Sequence, residues 1–424
     1  TNQDLMVAAL DGVVNKFDLK GQTLGEDSLG AVIKHSRDGN LARECVIDSG
    51  LSLRTPAVDL QRACGTSLEA AILIANKIAL GQIEAGIAGG TDTVSDAPIV
   101  YPDAYRQILM EIHRAHSPLA RLKSMLKIRP KHFKPEFPGV TEPRTGLSMG
   151  ESTEITAKKW DVQREHQDQV ALASHIKAAA AYDAGWFDDL VVPIQDAEED
   201  NNIRRDTTFE KLSTLKPVFD KSSEGTMTAG NSTALTDGAA AVLLASEDWA
   251  RQKNLPVMAY LTFAKAAAVN FINDEGLLLA PAYAVSDMLK QANLSLQDFD
   301  FYEIHEAFAA QTVATLKAWQ SEEFCRDKLG RNAPMGPIDL ARLNTKGGSI
   351  AIGQGEILGL DLAGMLRNLD ASYRGDGSKT VFNGVTATVT MDGGIATNND
   401  LNFDAPLVQA TGAGTVNIGA QTLQ

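Results

Sequence analysis

The feature that most constrains this chain is a regular alternation of short β-like runs with helical segments. In the first half, the β-like run 57–60 precedes a long apolar stretch at 68–80, which is followed by the small-residue run 85–88. The second half repeats this order at 257–267, 281–292, 299–304 and 307–319. Strands that alternate with helices form a sheet with helical layers on its faces. The sequence therefore predicts an α/β fold, and the nearly uncharged stretch 68–80 predicts a helix buried on all sides.

Composition excludes several classes of function. The 424 residues include 39 Lys and Arg against 54 Asp and Glu, a net charge of −15 at pH 7, and so acidic a chain repels nucleic-acid phosphates. No apolar run approaches the roughly 18 residues of a membrane helix, and the first residues lack the order of a signal peptide. Three widely spaced cysteines, Cys45, Cys64 and Cys325, form neither a disulfide framework nor a metal-ligand pattern. We therefore expect a reducing, cytoplasmic setting and no metal.

Cys64 is the candidate nucleophile. It lies where the β-like run 57–60 gives way to the apolar stretch, within the segment Arg62 to Ser67. At the start of a helix, unpaired N–H groups and the positive end of the helix dipole favour the thiolate. Gly65 permits the close approach of a substrate, and the two hydroxyl residues after it can cap the helix. A free cysteine is more often buried and inert, and from the local context alone both interpretations stay open.

Six blocks in the correct order resemble the thiolase family, and together they favour the nucleophile. The blocks are Gln61–Ser67, Ala88–Asp92, Met149–Ser152, Thr228–Ala240, His305–Gln311 and Asn344–Gly353. The second of them resembles the glycine-rich turn of that family. Many thiolases carry asparagine at the position of His305. A histidine there resembles the β-subunit of the fatty-acid β-oxidation multienzyme complex. Residues 1–353 are therefore identified as thiolase-like.

The resemblance implies a fold of two similar α/β halves with buried central helices and an inserted loop domain. The expected boundaries are 1–100 for the first half, 101–225 for the inserted loop domain, 226–250 for the end of the first half and 251–353 for the second half. The family's first strand, with its Arg-Thr-Pro-type start, is not found in the sequence. Family members are dimers or tetramers, so the resemblance also implies a homo-oligomer.

The resemblance further implies thiolytic cleavage of 3-ketoacyl-CoA in fatty-acid β-oxidation, with CoA as a substrate and no cofactor or metal. Cys64 would accept the acyl group, and its backbone N–H would stabilise the oxyanion. His305, by its position, would help to stabilise the enolate of the departing acetyl-CoA; alone it could equally be a core histidine. Thr233 would lie near the pantetheine arm, although a turn residue in a Gly- and Ser-rich loop is an equally good interpretation.

A basic stretch interrupts this acidic chain. Between Arg106 and Lys134 lie eight Lys and Arg residues, with Glu111 the only acid. Such charge runs are usually solvated loop faces. The functional alternative is a patch that meets CoA phosphates through Arg129 and Lys131, a partner such as the α-subunit of a β-oxidation complex, or an anionic membrane surface.

The sequence departs from the family after Gly353. Thiolases continue with His-Pro, whereas this chain has Gln354-Gly355, and no cysteine follows Cys325. A glutamine amide cannot accept the thiol proton near neutral pH. After a helix-like start, residues 355–424 alternate as short strands and resemble the C-terminal region of AsmA-type envelope proteins. We expect a foreign β-rich tail at 354–424 and a chimeric or truncated reading frame.

Three functional hypotheses remain. The first is a 3-ketoacyl-CoA thiolase. The second is a thiolase-fold ketoacyl synthase, which the matched blocks disfavour. The third is a catalytically incomplete protein that binds acyl-CoA or a partner subunit without turnover, which the residues around 354 favour.

Overall fold

The computed structural model describes residues 1–343, apart from 137, 138, 140 and 274, and the strands between 349 and 423. The helices are α1 (Asn2–Lys16), α2 (Leu41–Asp48), α3 (Thr66–Ala79), α4 (Asp103–Arg114), α5 (Pro118–Met125), α6 (Met149–Lys159), α7 (Arg164–Asp183), α8 (Phe209–Ser213), α9 (Glu247–Gln252), α10 (Ala280–Ala292), α11 (Ala309–Gln320) and α12 (Glu322–Asp327). Short 3₁₀ turns lie at Ser36–Asp38, Pro130–Phe133, Phe271–Asn273, Leu296–Asp298 and Leu340–Arg342. The strands are β1 (Glu26–Gly30), β2 (Ala57–Leu60), β3 (Ala85–Asp92), β4 (Gly238–Ala245), β5 (Ser349–Ile352), β6 (Gly355–Leu358), β7 (Lys379–Phe382), β8 (Gly384–Asp392), β9 (Ile395–Ala405), β10 (Val408–Asn417) and β11 (Thr422–Leu423).

Two compact units divide the chain. The first comprises Thr1–Thr156, Gly185–Arg204 and Leu215–Leu278. The second comprises Ala157–Ala184, Arg205–Thr214 and Leu279–Gln424. The predicted boundaries at 100, 225, 250 and 353 stay predictions.

The first unit contains a four-stranded mixed sheet in the order β2-β1-β3-β4. Strand β1 pairs in parallel with β2 and β3, and β4 runs antiparallel to β3 along its whole length. Helices α1 and α2 cover one face, where Met6, Leu10 and Leu29 are fully buried. Helix α3 covers the other face. The α/β fold that the alternation predicts is confirmed in this unit.

Helix α3 lies close to the sheet on one side. Thr66, Ala70 and Ile74, at a spacing of four residues, form its buried stripe, whereas Leu68 is 73% exposed. The prediction that this helix is buried on all sides is therefore not met within the first unit, where only its sheet-facing stripe is covered. A Cβ on Gly90 would lie 2.5 Å from the Ser67 Oγ, so glycine at this position permits the close approach.

The glycine-rich segment 88–92 differs from its predicted structure. Residues 88–92 were expected to form a glycine-rich turn, but they continue β3 and pair in register with 238–242 of β4. The glycines here serve the packing of the sheet, because a Cβ on Gly89 would lie 2.5 Å from the Ala240 carbonyl oxygen.

One buried carboxyl group stands out in the sheet. Asp27 on β1 is fully buried, and its Oδ1 accepts a hydrogen bond from the Ile87 N–H at 3.2 Å. Its Oδ2 has no hydrogen-bond partner among the described residues. Burial raises the pKa of this carboxyl to about 7, against the smaller effect of the Ile87 hydrogen bond, because the charged form loses its hydration.

The second unit is helical around its core. Helices α10, α11 and α12 pack around Leu289, Trp319 and Cys325, which are buried together. The indole N–H of Trp319 donates to the Ala282 carbonyl at 3.3 Å. The predicted helices at 281–292 and 307–319 are thus confirmed as α10 and α11.

Two predicted strands are wrong. Neither 257–267 nor 299–304 forms a ladder with any described residue, and Tyr302 makes only an isolated bridge to Leu343. Met258 in the first run is 76% exposed. A strand is stabilised by hydrogen bonds to a neighbour and by a covered face, so an apolar pattern without a pairing neighbour does not produce one.

Among the described residues, the strands from 349 onward pair with one another, and all these pairings are antiparallel. One sheet has the order β11-β10-β9-β8-β5, and β6 pairs with β7. The predicted β-rich tail at 354–424 stays a prediction. The predicted helical start differs from the structure at Gly355–Leu358, which is a strand, and residues 359–378 lie outside the described residues.

Candidate functional site

The candidate nucleophile lies on a tight turn between a strand and a helix. Strand β2 ends at Leu60 and α3 begins at Thr66, so five residues make the connection. Cys64 is exposed on this turn and is a free thiol. The sequence prediction that Cys64 lies at a strand-to-helix junction is confirmed.

The backbone of the turn is held in an unusual conformation next to the thiol. Ala63 has a φ of +42°, in the left-handed region that residues with a Cβ rarely adopt. The Thr66 hydroxyl braces this conformation, since it donates to the Ala63 carbonyl at 2.7 Å and accepts from the Arg62 N–H at 3.0 Å. A backbone conformation of this kind costs roughly 1–3 kcal/mol and is concentrated at functional sites.

The same contacts correct the expected helix cap. Gly65 is the N-cap residue of α3, and no side chain caps the helix there. The Thr66 hydroxyl is used inside the turn instead. This use of the Thr66 hydroxyl was not predictable, because a threonine at a helix start is also the usual pattern of a cap.

An ion pair lies beside the turn. The Arg62 guanidinium lies 3.1 Å from the Glu69 carboxylate on the first turn of α3. The N-terminus of α3, with its unpaired N–H groups, lies directly after the thiol. This end of the helix is suited to stabilise negative charge that develops beside Cys64.

The other two cysteines are placed quite differently. Cys45 is fully buried beneath α1, and burial raises the pKa of its thiol to about 12. Cys325 is also buried, and its thiol donates to the carbonyl oxygen of Trp319 at 3.3 Å. Both match the usual interpretation of a free cysteine as a small core residue.

This contrast predicts selective alkylation. Iodoacetamide is expected to modify one thiol per chain rapidly, at Cys64, because the other two are inaccessible in the folded protein. Mass spectrometry of tryptic peptides after a brief exposure measures the site. Unfolding in urea is the control, and it should make all three thiols reactive. Rapid labelling of Cys45 or Cys325 in the folded protein would contradict the packing described above.

A polar loop in the first unit is anchored by a residue that sequence reasoning missed. Glu154 on α6 is buried, and its carboxylate accepts from the N–H and hydroxyl of Thr226, both at 2.8 Å, and from the Met227 N–H at 2.9 Å. Asn231 continues the network, with its Oδ1 accepting from the Thr228 N–H at 2.8 Å. The signal in the sequence was the acidic residue on α6, one helical turn beyond Glu151 and two residues after the Met149–Ser152 block.

Thr233 lies at the exposed end of this anchored loop. Its hydroxyl donates to the Ala234 carbonyl at 3.3 Å, a weak local contact that leaves the group accessible. The loop belongs to the same unit as Cys64. A contact of Thr233 with substrate stays a prediction.

His305 lies in the second unit, in the segment that leads to α11. Its side chain is exposed, so the alternative of a core histidine does not apply to it. The adjacent Glu306 is partly buried, and burial raises the pKa of its carboxyl. Cys64 belongs to the first unit, and the pairing of the two side chains stays a prediction.

The basic stretch forms a helical surface with apolar residues on it. Helices α4 and α5 and the 3₁₀ turn Pro130–Phe133 follow one another along it. Arg129, just before that turn, and Lys131, on it, are both exposed. On and just after α5, Leu119 and Leu126 are 77% and 69% exposed. These positions are seven residues apart and therefore share one helix face. We call this region, residues 103–134, the basic surface.

Two family models match the chain across this architecture. The N-terminal domain of thiolase matches residues 1–248, and the C-terminal domain of thiolase matches residues 255–387. The chain belongs to the thiolase family. The resemblance that the six blocks indicate is thereby confirmed. The match extends beyond Gly353, where the sequence places the end of the resemblance, and the AsmA-type resemblance of 354–424 stays a prediction.

The relatives described below match about three quarters or more of this chain. A 3-ketoacyl-CoA thiolase of Pectobacterium carotovorum is 43% identical over 330 residues, which cover 76% of this chain and 75% of the relative. The crystal structure of Bacillus anthracis acetyl-CoA acetyltransferase superposes with a TM-score of 0.64 at 28% identity, covering 82% and 80% of the two chains. The human mitochondrial 3-ketoacyl-CoA thiolase in complex with CoA gives the same TM-score, identity and coverage.

The thiolase fold is therefore confirmed by both kinds of comparison. Among the described residues, no helix is both long enough and apolar enough to cross a bilayer.

Proposed function

We propose that this chain is an acetyl-CoA C-acyltransferase that cleaves 3-ketoacyl-CoA with CoA in fatty-acid β-oxidation. The observation that carries the proposal is the exposed Cys64 thiol on a strained turn at the start of α3, within a chain of the thiolase family. CoA acts as a substrate, and the chemistry needs no cofactor or metal.

The reaction proceeds in two transfers. The Cys64 thiolate attacks the 3-keto carbon, and the bond between carbons 2 and 3 breaks with its electron pair on carbon 2. That enolate takes up a proton and leaves as acetyl-CoA, while the shortened acyl group remains on sulfur as a thioester. The thiol of a second CoA then attacks the thioester, loses its proton and releases the cysteine thiolate.

Three residues are proposed to support these transfers. The backbone N–H of Cys64 and the N-terminal end of α3 face negative charge at the attacked carbonyl. His305, whose exposed side chain is available to a ligand, stabilises the enolate directly or through a water. Thr233, at the exposed end of the anchored loop, contacts the pantetheine arm.

A second candidate function is binding of acyl-CoA without turnover. Gln354 stands where the family's histidine would accept the thiol proton, and no cysteine follows Cys325 to act as a second acid and base. A missing general base lowers the rate by about 10²- to 10⁴-fold. The two candidates therefore differ in rate and share the acylation of Cys64.

One experiment separates them. The protein is mixed with 3-ketoacyl-CoA, and CoA is then added. The loss of the 3-ketoacyl-CoA absorbance measures turnover, and the mass of the peptide that contains Cys64 is measured in parallel. Turnover with a transient acyl adduct supports the thiolase. An adduct that CoA does not discharge identifies the incomplete protein. The absence of both adduct and turnover would remove Cys64 as an acyl acceptor and with it the proposed function.

The basic surface is proposed to bind an anion. The first candidate is a phosphate of CoA, which Arg129 and Lys131 would contact. Both side chains are exposed, and no carboxylate pairs with either among the described residues. The alternatives are an α-subunit of a β-oxidation complex and an anionic membrane, which the exposed leucines of α5 would also suit.

Charge reversal tests this surface. The double variant Arg129→Glu and Lys131→Glu is expected to raise KM for acyl-CoA about three- to ten-fold at low salt, because two phosphate contacts become repulsive. Steady-state kinetics at two salt concentrations measure it, beside co-sedimentation with anionic vesicles. The matched control reverses Lys216 and Lys221, which are equally exposed but lie outside the basic surface. An unchanged KM and unchanged sedimentation in the first variant would leave this surface as a solvated face.

Oligomerisation and setting are proposed from the family and from the cysteines. A homo-oligomer follows from the family. A reducing cytoplasmic setting suits three free thiols.

A further inference from the structure

The polar loop before β4 lies at the same edge of the sheet as the Cys64 turn. Strands β1, β2 and β3 are parallel and all end at this edge, and Cys64 follows β2 directly. Strand β4 is antiparallel to β3, so its first residue, Gly238, lies beside Asp92 at the end of β3. The loop 226–237 therefore enters the sheet at the edge that also carries the thiol, and all of these elements belong to the first unit.

The far end of the loop is fixed by Asp237. Its carboxylate accepts from the N–H groups of Val94 and Ser95, at 2.7 and 3.0 Å, in the segment that follows β3. Thr233, four residues earlier, is exposed, and so are the residues between the two. The position of Thr233 therefore depends on how firmly the loop is also held at its start.

The start of the loop is held by Glu154 on α6. This residue is 3% exposed, and its carboxylate accepts three hydrogen bonds. Oε1 accepts from the N–H and the hydroxyl of Thr226, both at 2.8 Å, and Oε2 accepts from the Met227 N–H at 2.9 Å. A buried carboxylate is tolerated where donors of this kind replace its hydration. The three bonds fix the backbone at the point where the loop leaves the interior.

Two further contacts extend this anchor toward Thr233. The ring of Phe219 packs on α6 against Gly150, where a Cβ would have no room. Asn231 is 2% exposed, and its Oδ1 accepts from the Thr228 N–H at 2.8 Å, which closes the backbone of the loop on itself. Thr233 lies two residues further on, so a displacement at the start of the loop reaches it through a short, hydrogen-bonded connection.

We propose that Glu154 is a positioning residue for the acyl-CoA substrate, a role that rests on the acyl transfer proposed above. Glu154 does not contact the substrate itself. It holds the loop so that the Thr233 hydroxyl is presented to the pantetheine arm at the sheet edge that carries Cys64. A loop that is already ordered takes none of the substrate's binding free energy for its own ordering. The affinity for acyl-CoA therefore depends on a carboxylate that is buried on α6.

Glu154→Gln tests this role. The amide keeps one acceptor, but its NH₂ group faces an N–H donor, so at least one of the three hydrogen bonds is lost and the start of the loop moves. We expect KM for 3-ketoacyl-CoA to rise about three- to ten-fold while kcat stays within about two-fold of the parent, because the substrate and the transition state lose the same contact. Hydrogen exchange should become faster at the Thr226 and Met227 amides.

The matched control is Glu151→Gln, one turn earlier on α6. Glu151 is exposed, and its carboxylate accepts from the N–H and the hydroxyl of Ser148, both at 2.8 Å, at the start of the helix. The control neutralises a carboxylate on the same helix without touching the loop. It should leave both KM and the exchange of the Thr226 and Met227 amides unchanged.

A double-mutant cycle shows whether Glu154 acts through Thr233. Thr233→Val alone should raise KM about three- to ten-fold, and adding Glu154→Gln should raise it by less than about two-fold more, since the contact is already lost. Two effects that multiply would overturn the proposal. If circular dichroism shows that Glu154→Gln does not fold, Thr226→Val takes its place, with an expected rise of about three-fold that should disappear in the Thr233→Val background.

Acylation of Cys64 in the parent tests the proposed function separately, before any variant is compared. If the parent forms the adduct and Glu154→Gln leaves KM unchanged, the positioning role is wrong and the proposed function stands. Faster exchange in the loop with the same KM would then identify Glu154 as a purely structural anchor. If the parent forms no adduct, both proposals fail. In an incomplete enzyme, the 3-ketoacyl-CoA concentration that gives half the maximal rate of acylation replaces KM in each comparison.

Discussion

Replacing Cys64 by alanine is expected to lower thiolytic turnover by at least about a thousand-fold, because no other accessible thiol can carry the acyl group. Binding of acyl-CoA should change less than about three-fold, since the side chain is small and exposed on its turn. Loss of 3-ketoacyl-CoA absorbance measures turnover, and equilibrium titration of the acyl-CoA measures binding. The mass of the protein after incubation should show no acyl adduct.

The matched control is Ser67→Ala on the first turn of α3. Ser67 is exposed three residues from Cys64, and its hydroxyl makes no hydrogen bond within the described residues. Turnover in this variant should stay within about two-fold of the parent. If Cys64→Ala retained turnover or an acyl adduct, the nucleophile would lie elsewhere. If the parent formed an adduct without turnover and the variant formed none, Cys64 would be an acyl acceptor in an incomplete enzyme.

The junction at Cys64 was predictable because its signals are local. A β-like run, a Cys-Gly step and a long apolar helix are adjacent in sequence, and each element follows from the residues within it. Strand β1 and its parallel pairing with β2 and β3 were missed, because Glu26–Gly30 contains one large apolar residue and shows no β-like pattern. The left-handed backbone of Ala63 was not predictable, because alanine carries no preference for that conformation and only the Thr66 contacts hold it.

The missed features depend on partners that are distant in sequence. Residues 257–267 have the composition of a strand but no pairing neighbour, and an apolar run cannot indicate whether one exists. Glu154 was missed for a similar reason, because its role depends on Thr226 and Met227, more than seventy residues away. The exposed face of α3 shows the same limit, since an apolar helix predicts burial without naming what covers it.

The buried carboxyl of Asp27 is expected to make the stability of this protein fall as the pH rises. Its pKa is about 7 in the folded chain and 3.8 when exposed, so between these values the unfolded state loses a proton that the folded state keeps. Below pH 4 both states are protonated and there is no penalty. Above pH 7 the folded state is disfavoured by about 4 kcal/mol relative to a neutral side chain of the same shape.

Asp27→Asn should therefore be more stable than the parent at pH 8 and less stable near pH 4, with the difference rising from pH 4 to pH 7 and then levelling off. The amide keeps an oxygen for the Ile87 N–H, while its NH₂ takes the place of an Oδ2 that already lacks a partner among the described residues. Since the new donors stay unsatisfied, we expect a net gain of about 2 kcal/mol at pH 8. Urea unfolding at a series of pH values measures it. Asp18→Asn, at an exposed position, is the control and should show no such slope. A difference between Asp27→Asn and the parent that does not vary with pH would mean that Asp27 is ionised in the folded chain, with water or a counter-charge reaching its Oδ2.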